Sequence, residues 1–314
     1  MSLLVVKPGV QLTIQSRPRT GMHHLGVPSG GAADPLSLAL ANRLVGNNWD
    51  APAIEATLVG PIVRFEVATA FAVVGGDVSL LLSGVAASSH EAISANAGDE
   101  LVVGPIGNGA RVYLAVPGGF VASEMLGSAS TNLQAGFGGF EGKALQAGDR
   151  LALTGSDCPP LATPAEFRPT MPQAWALRTC SAAETSVLDA DSFAALFETN
   201  WTIGQRADRM GLRLEGPRLS VSSDGRMASA GVMPGTIQCP EDGVPYMLSV
   251  DAGTVGGYPR VAQVGRADRH IIGQLKPGDH VRLLHREHDA AVAELRAKLD
   301  YWRAWLPEID DVLC

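Results

Sequence analysis

Three Gly-Asp pairs constrain the fold of this chain more than any other feature: Gly98–Asp99, Gly148–Asp149 and Gly278–Asp279, each followed at once by residues that alternate apolar and polar. A Gly-Asp turn that feeds a period-two run is a signature of antiparallel β structure. Two of the pairs sit in a longer internal echo. YLAVPGG and, after a loop, LQAGDRLAL (Tyr113–Gly119 and Leu145–Leu153) are answered by YMLSVDAG and LKPGDHVRLL (Tyr246–Gly253 and Leu275–Leu284). GPIVRFEV (Gly60–Val67) likewise resembles GPRLSVSS (Gly216–Ser223). Self-similarity on this scale predicts two copies of one β unit, and 314 residues are enough for two hydrophobic cores. Barrels or sandwiches follow, and closure into barrels would remove the exposed edges that many short strands create.

Further alternation marks strands in the first half at Leu3–Val6, Val10–Ile14, Val63–Val67, Ala72–Val74, Val78–Leu82, Leu101–Val103, Val112–Val116 and Leu151–Leu153. One helix interrupts them: in Asp34–Leu44, Asp34 suits an N-cap, Pro35 suits the first helical position, and Leu36, Leu40 and Leu44 recur at helical spacing. The Pro-rich stretch Cys158–Pro172 has little to bury and reads as a linker, giving domains at 1–157 and 173–314. The second half holds a short helix near Asp189–Glu198, capped by Asp189 or Asp191. It ends on an amphipathic helix over Glu287–Trp305, with Val292, Leu295, Leu299 and Trp302 on one face.

Composition excludes several functions. The 36 Gly and 20 Pro fit turn-rich β structure, and a net charge of −8 without any basic cluster argues against a nucleic-acid partner. No apolar run reaches the ~18 residues of a membrane span, and the apolar start is broken by Lys7 and Pro8, so a cytoplasmic chain is expected. Cys158, Cys180, Cys239 and Cys314 show no metal or redox spacing and are expected as thiols. GFGGFEGKA (Gly136–Ala144) fails as a phosphate-binding loop because Phe137 and Ala144 occupy required positions. No GxSxG, GxGxxG or HExxH pattern is present, and no intrinsic cofactor or metal is expected.

What remains is a set of glycine-dense polar loops. GVPSGGAAD (Gly26–Asp34) brings Ser29 and Asp34 to a helix N-terminus, where anions are favoured, though a plain capped helix entry explains it as well. Ser128, Ser130 and Thr131 crowd the loop Gly127–Asn132. Arg206, Arg209 and Arg213 in Gly204–Pro217 offer guanidinium forks for a carboxylate or phosphate, or lie solvated on a strand rim. Gln238 and Cys239 lie in PGTIQCPEDG (Pro234–Gly243). Beyond them DAGTVGGYP (Asp251–Pro259) supplies Asp251, Thr254, Gly256, Gly257 and Tyr258, with glycines that admit a ligand to the backbone. There Asp251 is a candidate base or amide-orienting group, or the cap of its own turn.

Taken together, GVPSGGAAD, ANRLVGN (Ala41–Asn47), IEATLVGP (Ile54–Pro61), GSAST, LQAGD, DRMGLRLEGP (Asp208–Pro217), PGTIQCPEDGVP (Pro234–Pro245), DAGTVGGYP and QLKPGD (Gln274–Asp279) resemble the carboxyltransferase domain of urea carboxylase, the allophanate hydrolase subunit 2 or KipA-like family. The resemblance implies two tandem cyclophilin-like β-barrels. For a chain of this length it implies the C subunit of an ATP-dependent 5-oxoprolinase, acting with a KipI-like and a LamB/YcsF-like subunit. It implies as alternatives a carboxyltransferase fed by carboxybiotin on a partner, or a non-catalytic antagonist of a KipI-like protein. No lysine here stands in the AMKM-like context that carries biotin. On this reading Asp251 is catalytic. Ser29, Asp34, Ser128, Ser130, Thr131, Arg209, Arg213, Gln238, Thr254, Gly256, Gly257 and Tyr258 bind substrate. The chain departs from the family pattern at Gly30 to Ala33, where Ser-Gly-Ala-Met is usual, at Lys143 for Arg, at Ala230 for Glu and at Gly253 for Gln.

Overall fold

In the computed structural model, which describes residues 2–155, 158, 160–222 and 227–313, each Gly-Asp pair adopts the same turn. Gly98, Gly148 and Gly278 take left-handed φ values of 95°, 95° and 87°. The aspartate that follows accepts the N–H three residues back, from Asn96, Gln146 and Lys276, at 2.7, 2.7 and 3.0 Å. Each turn also exchanges two backbone hydrogen bonds with one residue of a strand beside it: Phe65, Val5 and Ile203 respectively. Asp157 and Ser223, where the first domain and one repeat were expected to end, lie outside the described residues, as does the Cys314 thiol.

The chain divides into two units. The first comprises Met1–Arg19, Gly30–Met171 and Ala304–Val312. It holds a six-stranded antiparallel sheet, in the order Arg150–Ala152, Ser2–Lys7, Ile62–Phe65, Glu100–Ile106, Val78–Leu82, Val85–Ala87. A five-stranded sheet runs Gln11–Gln15, Ala53–Thr57, Arg111–Ala115, Thr69–Gly75, Ile93–Ala95. Both feed one core, with Leu3, Val5 and Phe65 from one sheet meeting Leu12, Ile54 and Phe71 from the other, and Phe65 stacked on Phe71 at 5.2 Å. The helix Pro35–Leu44 packs on Thr69–Gly75 and Arg111–Ala115. Those strands are therefore buried on both faces, and every residue in them is buried. The stretch expected as a linker is clustered with this unit as far as Met171. Within it Thr163 N donates to His90 O at 2.9 Å and Ala92 N to Leu161 O at 2.8 Å.

The second unit comprises Thr20–Ser29, Pro172–Arg303 and Leu313–Cys314. Its strands close a barrel in the order Ala174–Ser181, Arg260–Val264, Thr236–Gln238, Tyr246–Leu248, Gly211–Glu215, Asn200–Ala207, His280–His285. The ring is completed by the parallel pairing of Ala174–Ser181 with His280–His285. Trp201 is fully buried, as are Leu177, Ile203, Leu214, Ile237 and Leu283 of the barrel strands, and its indole N–H donates to Leu196 O at 3.0 Å. Asp189, not Asp191, caps the helix Ala190–Glu198 through Ser192 N. The last long helix spans His288–Arg303, and its apolar stripe is buried only at Leu299 and Trp302, while Val292 is exposed. Polar groups replace the stripe toward the N-terminus: Glu294 pairs with Arg286 at 2.9 Å, and Lys298 Nζ donates to Ala267 O at 2.7 Å. The chain is thus mainly β, and no helix among the described residues is long and apolar enough to cross a membrane.

A Cβ at Gly98, Gly148 or Gly278 meets nothing within 4 Å, so alanine there tests backbone conformation alone. Each substitution is expected to cost about 1–2 kcal/mol in urea unfolding, and unchanged stability would contradict the turn geometry. Burial first, then Arg168, lowers the His90 pKa from 6.5 to about 4. A depressed histidine pKa destabilises the fold when the imidazole must be protonated. Stability of the first unit is therefore flat above pH 6.5 and falls by on the order of 3 kcal/mol toward pH 4. His90→Gln should flatten that slope in pH-dependent melting.

Candidate functional site

The centre of the site is a buried ion pair. Asp251 follows the strand Tyr246–Leu248, Arg209 precedes the strand Gly211–Glu215, and these strands are hydrogen-bonded neighbours in the barrel. The register continues into the loops, where Ser249 N donates to Met210 O at 3.1 Å and Asp251 N to Arg209 O at 2.8 Å. That brings the side chains together: Arg209 Nε donates to Asp251 Oδ2 at 2.7 Å and a terminal guanidinium nitrogen to Oδ1 at 3.1 Å. Arg209 is 5% exposed and Asp251 7%. Such a bidentate fork fixes the carboxylate in one plane and leaves each oxygen a second lone pair for another donor. Arg209, expected to hold a ligand directly, is engaged here in a bidentate pair with Asp251.

The rest of DAGTVGGYP is built round Gln238. Its Nε2 donates to Tyr258 O at 3.0 Å, and a Cβ on Gly256 would lie 2.5 Å from that same nitrogen. A side chain at Gly256 would therefore have to displace the Gln238 amide. Gly257 has nothing nearer than 3.8 Å, and Gly253 nothing nearer than 3.7 Å, so the glycine that replaces the family's glutamine is not imposed by crowding. Thr254 is buried and its carbonyl accepts Val232 N at 3.0 Å, while Val255–Gly256 pairs with Ala230–Gly231. Arg260 braces that ribbon by donating to Gly231 O at 3.0 Å and pairing with Glu184. The Tyr258 ring is exposed.

Arg213 is the more available cation. It is half-buried on the outward face of its strand, and its Nε is buried without an acceptor among the described residues. Ser29 belongs to the second unit as well, and its Oγ lies 2.7 Å from His23 Nε2. Cys239 is fully buried, and burial, then Asp242, pushes its thiol up to about 12, which suits packing rather than nucleophilic attack.

The other expected residues lie in the first unit and serve its framework. Both Asp34 carboxylate oxygens are engaged by Ser37, from N at 3.1 Å and Oγ at 2.6 Å, so Asp34 is a helix cap. Ser128 Oγ donates to Arg17 O at 2.6 Å, Ser130 Oγ to the same carbonyl at 3.2 Å, and Thr131 Oγ1 to Ile14 O at 2.9 Å. These hydroxyls fasten the loop Gly127–Asn132 to the chain leaving the strand Gln11–Gln15. Lys143 is exposed and pairs with Glu141 at 3.3 Å.

Three features escaped the sequence reading. His23, in the unpatterned MHHLG, carries no motif. Glu184 is identified only by its pairing with Arg260. Glu55 accepts from Tyr113 Oη at 2.7 Å and from Ala33 N at 2.9 Å, beside Arg111 at 3.3 Å. A glutamate inside the otherwise apolar IEATLVGP was a signal for that buried network, because a buried carboxylate needs partners. Burial, then Glu55 and Asp34, holds the Tyr113 pKa well above its ordinary value, so its hydroxyl remains a donor. No metal-binding cluster of His, Cys, Asp or Glu exists among the described residues.

Residues 25–285 match the family model for the carboxyltransferase domain, subdomain A and B, and the chain belongs to that family. It is 33% identical to the C subunit of the 5-oxoprolinase of Escherichia coli over 303 residues, 96% of each chain. It is 33% identical to the corresponding protein of Haemophilus influenzae over 86% of each. The urea amidolyase of Lachancea kluyveri is also 33% identical, across 93% of this chain but only 18% of the yeast protein. Crystal structures agree: Kluyveromyces lactis urea carboxylase superposes with a TM-score of 0.90 at 31% identity, over 99% of this chain and 29% of that one.

Asp251→Ala leaves a buried guanidinium without its counter-charge and is expected to cost about 3–5 kcal/mol in denaturant unfolding. Gly253→Gln should leave the melting temperature unchanged, while Gly256→Val lowers it by displacing Gln238. Equal effects at the two glycines would contradict this account of the loop.

Proposed function

We propose that the chain is one component of an ATP-dependent 5-oxoprolinase, which opens 5-oxo-L-proline to L-glutamate with formation of ADP and phosphate. The observation that carries this reading is the end-to-end match to the C subunits of two bacterial 5-oxoprolinases, against the small share of the urea amidolyases that the chain covers. The chain works with a KipI-like and a LamB/YcsF-like subunit, in the cytoplasm where ATP is supplied.

A lactam is too stable to hydrolyse unaided at a useful rate, so its oxygen first takes the γ-phosphoryl group of ATP, releasing ADP. One water then adds to the activated carbon, the ring C–N bond breaks to free the amine, and an acyl phosphate forms. A second water releases phosphate from it. In this scheme Asp251, held by Arg209, accepts the ring N–H and fixes the lactam plane, and Arg213 takes the substrate carboxylate. Gly257, with nothing nearer than 3.8 Å to a Cβ there, admits the ring to the backbone. ATP is held with the partners.

The likeness to urea carboxylase supports a second reading, transfer of a carboxyl group from carboxybiotin on a partner to urea or a similar amide. One experiment separates the two: the chain is mixed with both partner subunits, ATP and 5-oxoproline, and glutamate is measured with and without avidin. The first reading predicts glutamate only with all three proteins, unaffected by avidin. Absence of glutamate, together with avidin-sensitive consumption of bicarbonate and urea by a biotinylated partner, would replace it with the second. In the active mixture Arg213→Met is expected to raise KM for 5-oxoproline at least tenfold.

A further inference from the structure

The ANRLVGN stretch takes no part in the site above, yet it forms one wall of a cavity of about 180 Å³ in the first unit. Arg43, Gly46, Asn47 and Trp49 line it from one side, Leu306 and Glu308 of the C-terminal segment from the other. Asn47 is wall only. Its Nδ2 donates to Asn42 Oδ1 and Val116 O, and its Oδ1 accepts Gly118 N, at 2.9, 2.9 and 2.7 Å.

Arg43 is different. Its guanidinium carbon lies 4.5 Å from the ring centroid of Trp305, which also stacks on Phe167 at 6.3 Å. Stacking satisfies the face of a guanidinium and none of its N–H groups. Arg43 Nε is buried without an acceptor among the described residues, and so is Trp305 Nε1. The Arg43 guanidinium lines the cavity and makes no hydrogen bond or ion pair with another described residue, so it calls for a ligand with acceptor oxygens. Burial lowers the Arg43 pKa and Glu308 partly restores it, so the carboxylate acts on Arg43 through space, and no ion pair joins them among the described residues.

Charge narrows the ligand. A simple anion would face Glu308 and the carbonyl end of the helix Pro35–Leu44, both negative. A simple cation would face Arg43 and leave its N–H groups without an acceptor. A molecule with a carboxylate at one end and an ammonium at the other meets every group, and Trp49 and Leu306 offer apolar surface to the carbons between. We propose that this cavity binds a small zwitterion of the α-amino-acid type, its carboxylate held by the Arg43 guanidinium and its ammonium by Glu308.

Calorimetric titration of the purified full chain with L-alanine and L-glutamine, and in parallel with acetate and with ethylamine, tests this, with tryptophan fluorescence as a second readout. Saturable one-to-one binding of at least one amino acid is expected, at least tenfold tighter than acetate or ethylamine. Arg43→Met should weaken it at least tenfold. Glu308→Gln, on an exposed side chain that the fold does not need, should weaken the amino acid while tightening acetate. Circular dichroism of each variant checks the fold, and Glu308→Gln decides the matter if Arg43→Met unfolds. Binding of neither amino acid at millimolar concentration, equal binding of acetate, or no change in Glu308→Gln would overturn the proposal.

Discussion

A left-handed glycine followed by an aspartate that closes its own turn is the device on which this structure rests. At Gly98, Gly148 and Gly278 the chain reverses at a φ that other residues resist, and the aspartate carboxylate takes a backbone N–H that would otherwise be orphaned. The turn then exchanges both its free backbone groups with a neighbouring strand. A sheet made of short strands has many ends, and each end exposes donors and acceptors. Repeating one self-satisfying turn solves that problem three times with two residues each.

The same economy shapes the site. Pairing of Gly211–Glu215 with Tyr246–Leu248 extends past the strand ends, so Arg209 and Asp251 arrive opposite each other as a consequence of register. Burying the two charges costs solvation, and the bidentate geometry offsets part of it. A carboxylate fixed in one plane is more useful for orienting an amide than a mobile one, because little order remains to be created when substrate arrives. Gln238 over Gly256, and Arg260 on Gly231, hold the adjoining loop without contributing to the pair itself.

Much of this was legible in the sequence. The Gly-Asp pairs announced the turns, alternation found most strands, and Asp34 with Pro35 marked the first helix correctly. What sequence could not supply was the partner of each polar group. Arg209 and Asp251 stand forty-two positions apart, and only register brings them together. Ser128, Ser130 and Thr131 read as a binding loop because hydroxyls look alike whether they meet a ligand or a carbonyl; here they meet Arg17 and Ile14. The helix His288–Arg303 shows the converse. Its period was right, but Val292 stays exposed because Glu294 and Lys298 make the contacts that face the barrel side.

In the proposed function Arg209 acts on chemistry through Asp251 and not on substrate directly. A double-mutant cycle measures it: Arg209→Lys, Asp251→Asn and the double variant, each assayed in the reconstituted complex for kcat/KM with 5-oxoproline. Coupled residues should give single losses of about a hundredfold each and a double loss hardly greater, since either change breaks the same unit. Losses that multiply would contradict the account and return Arg209 to an independent hold on the substrate.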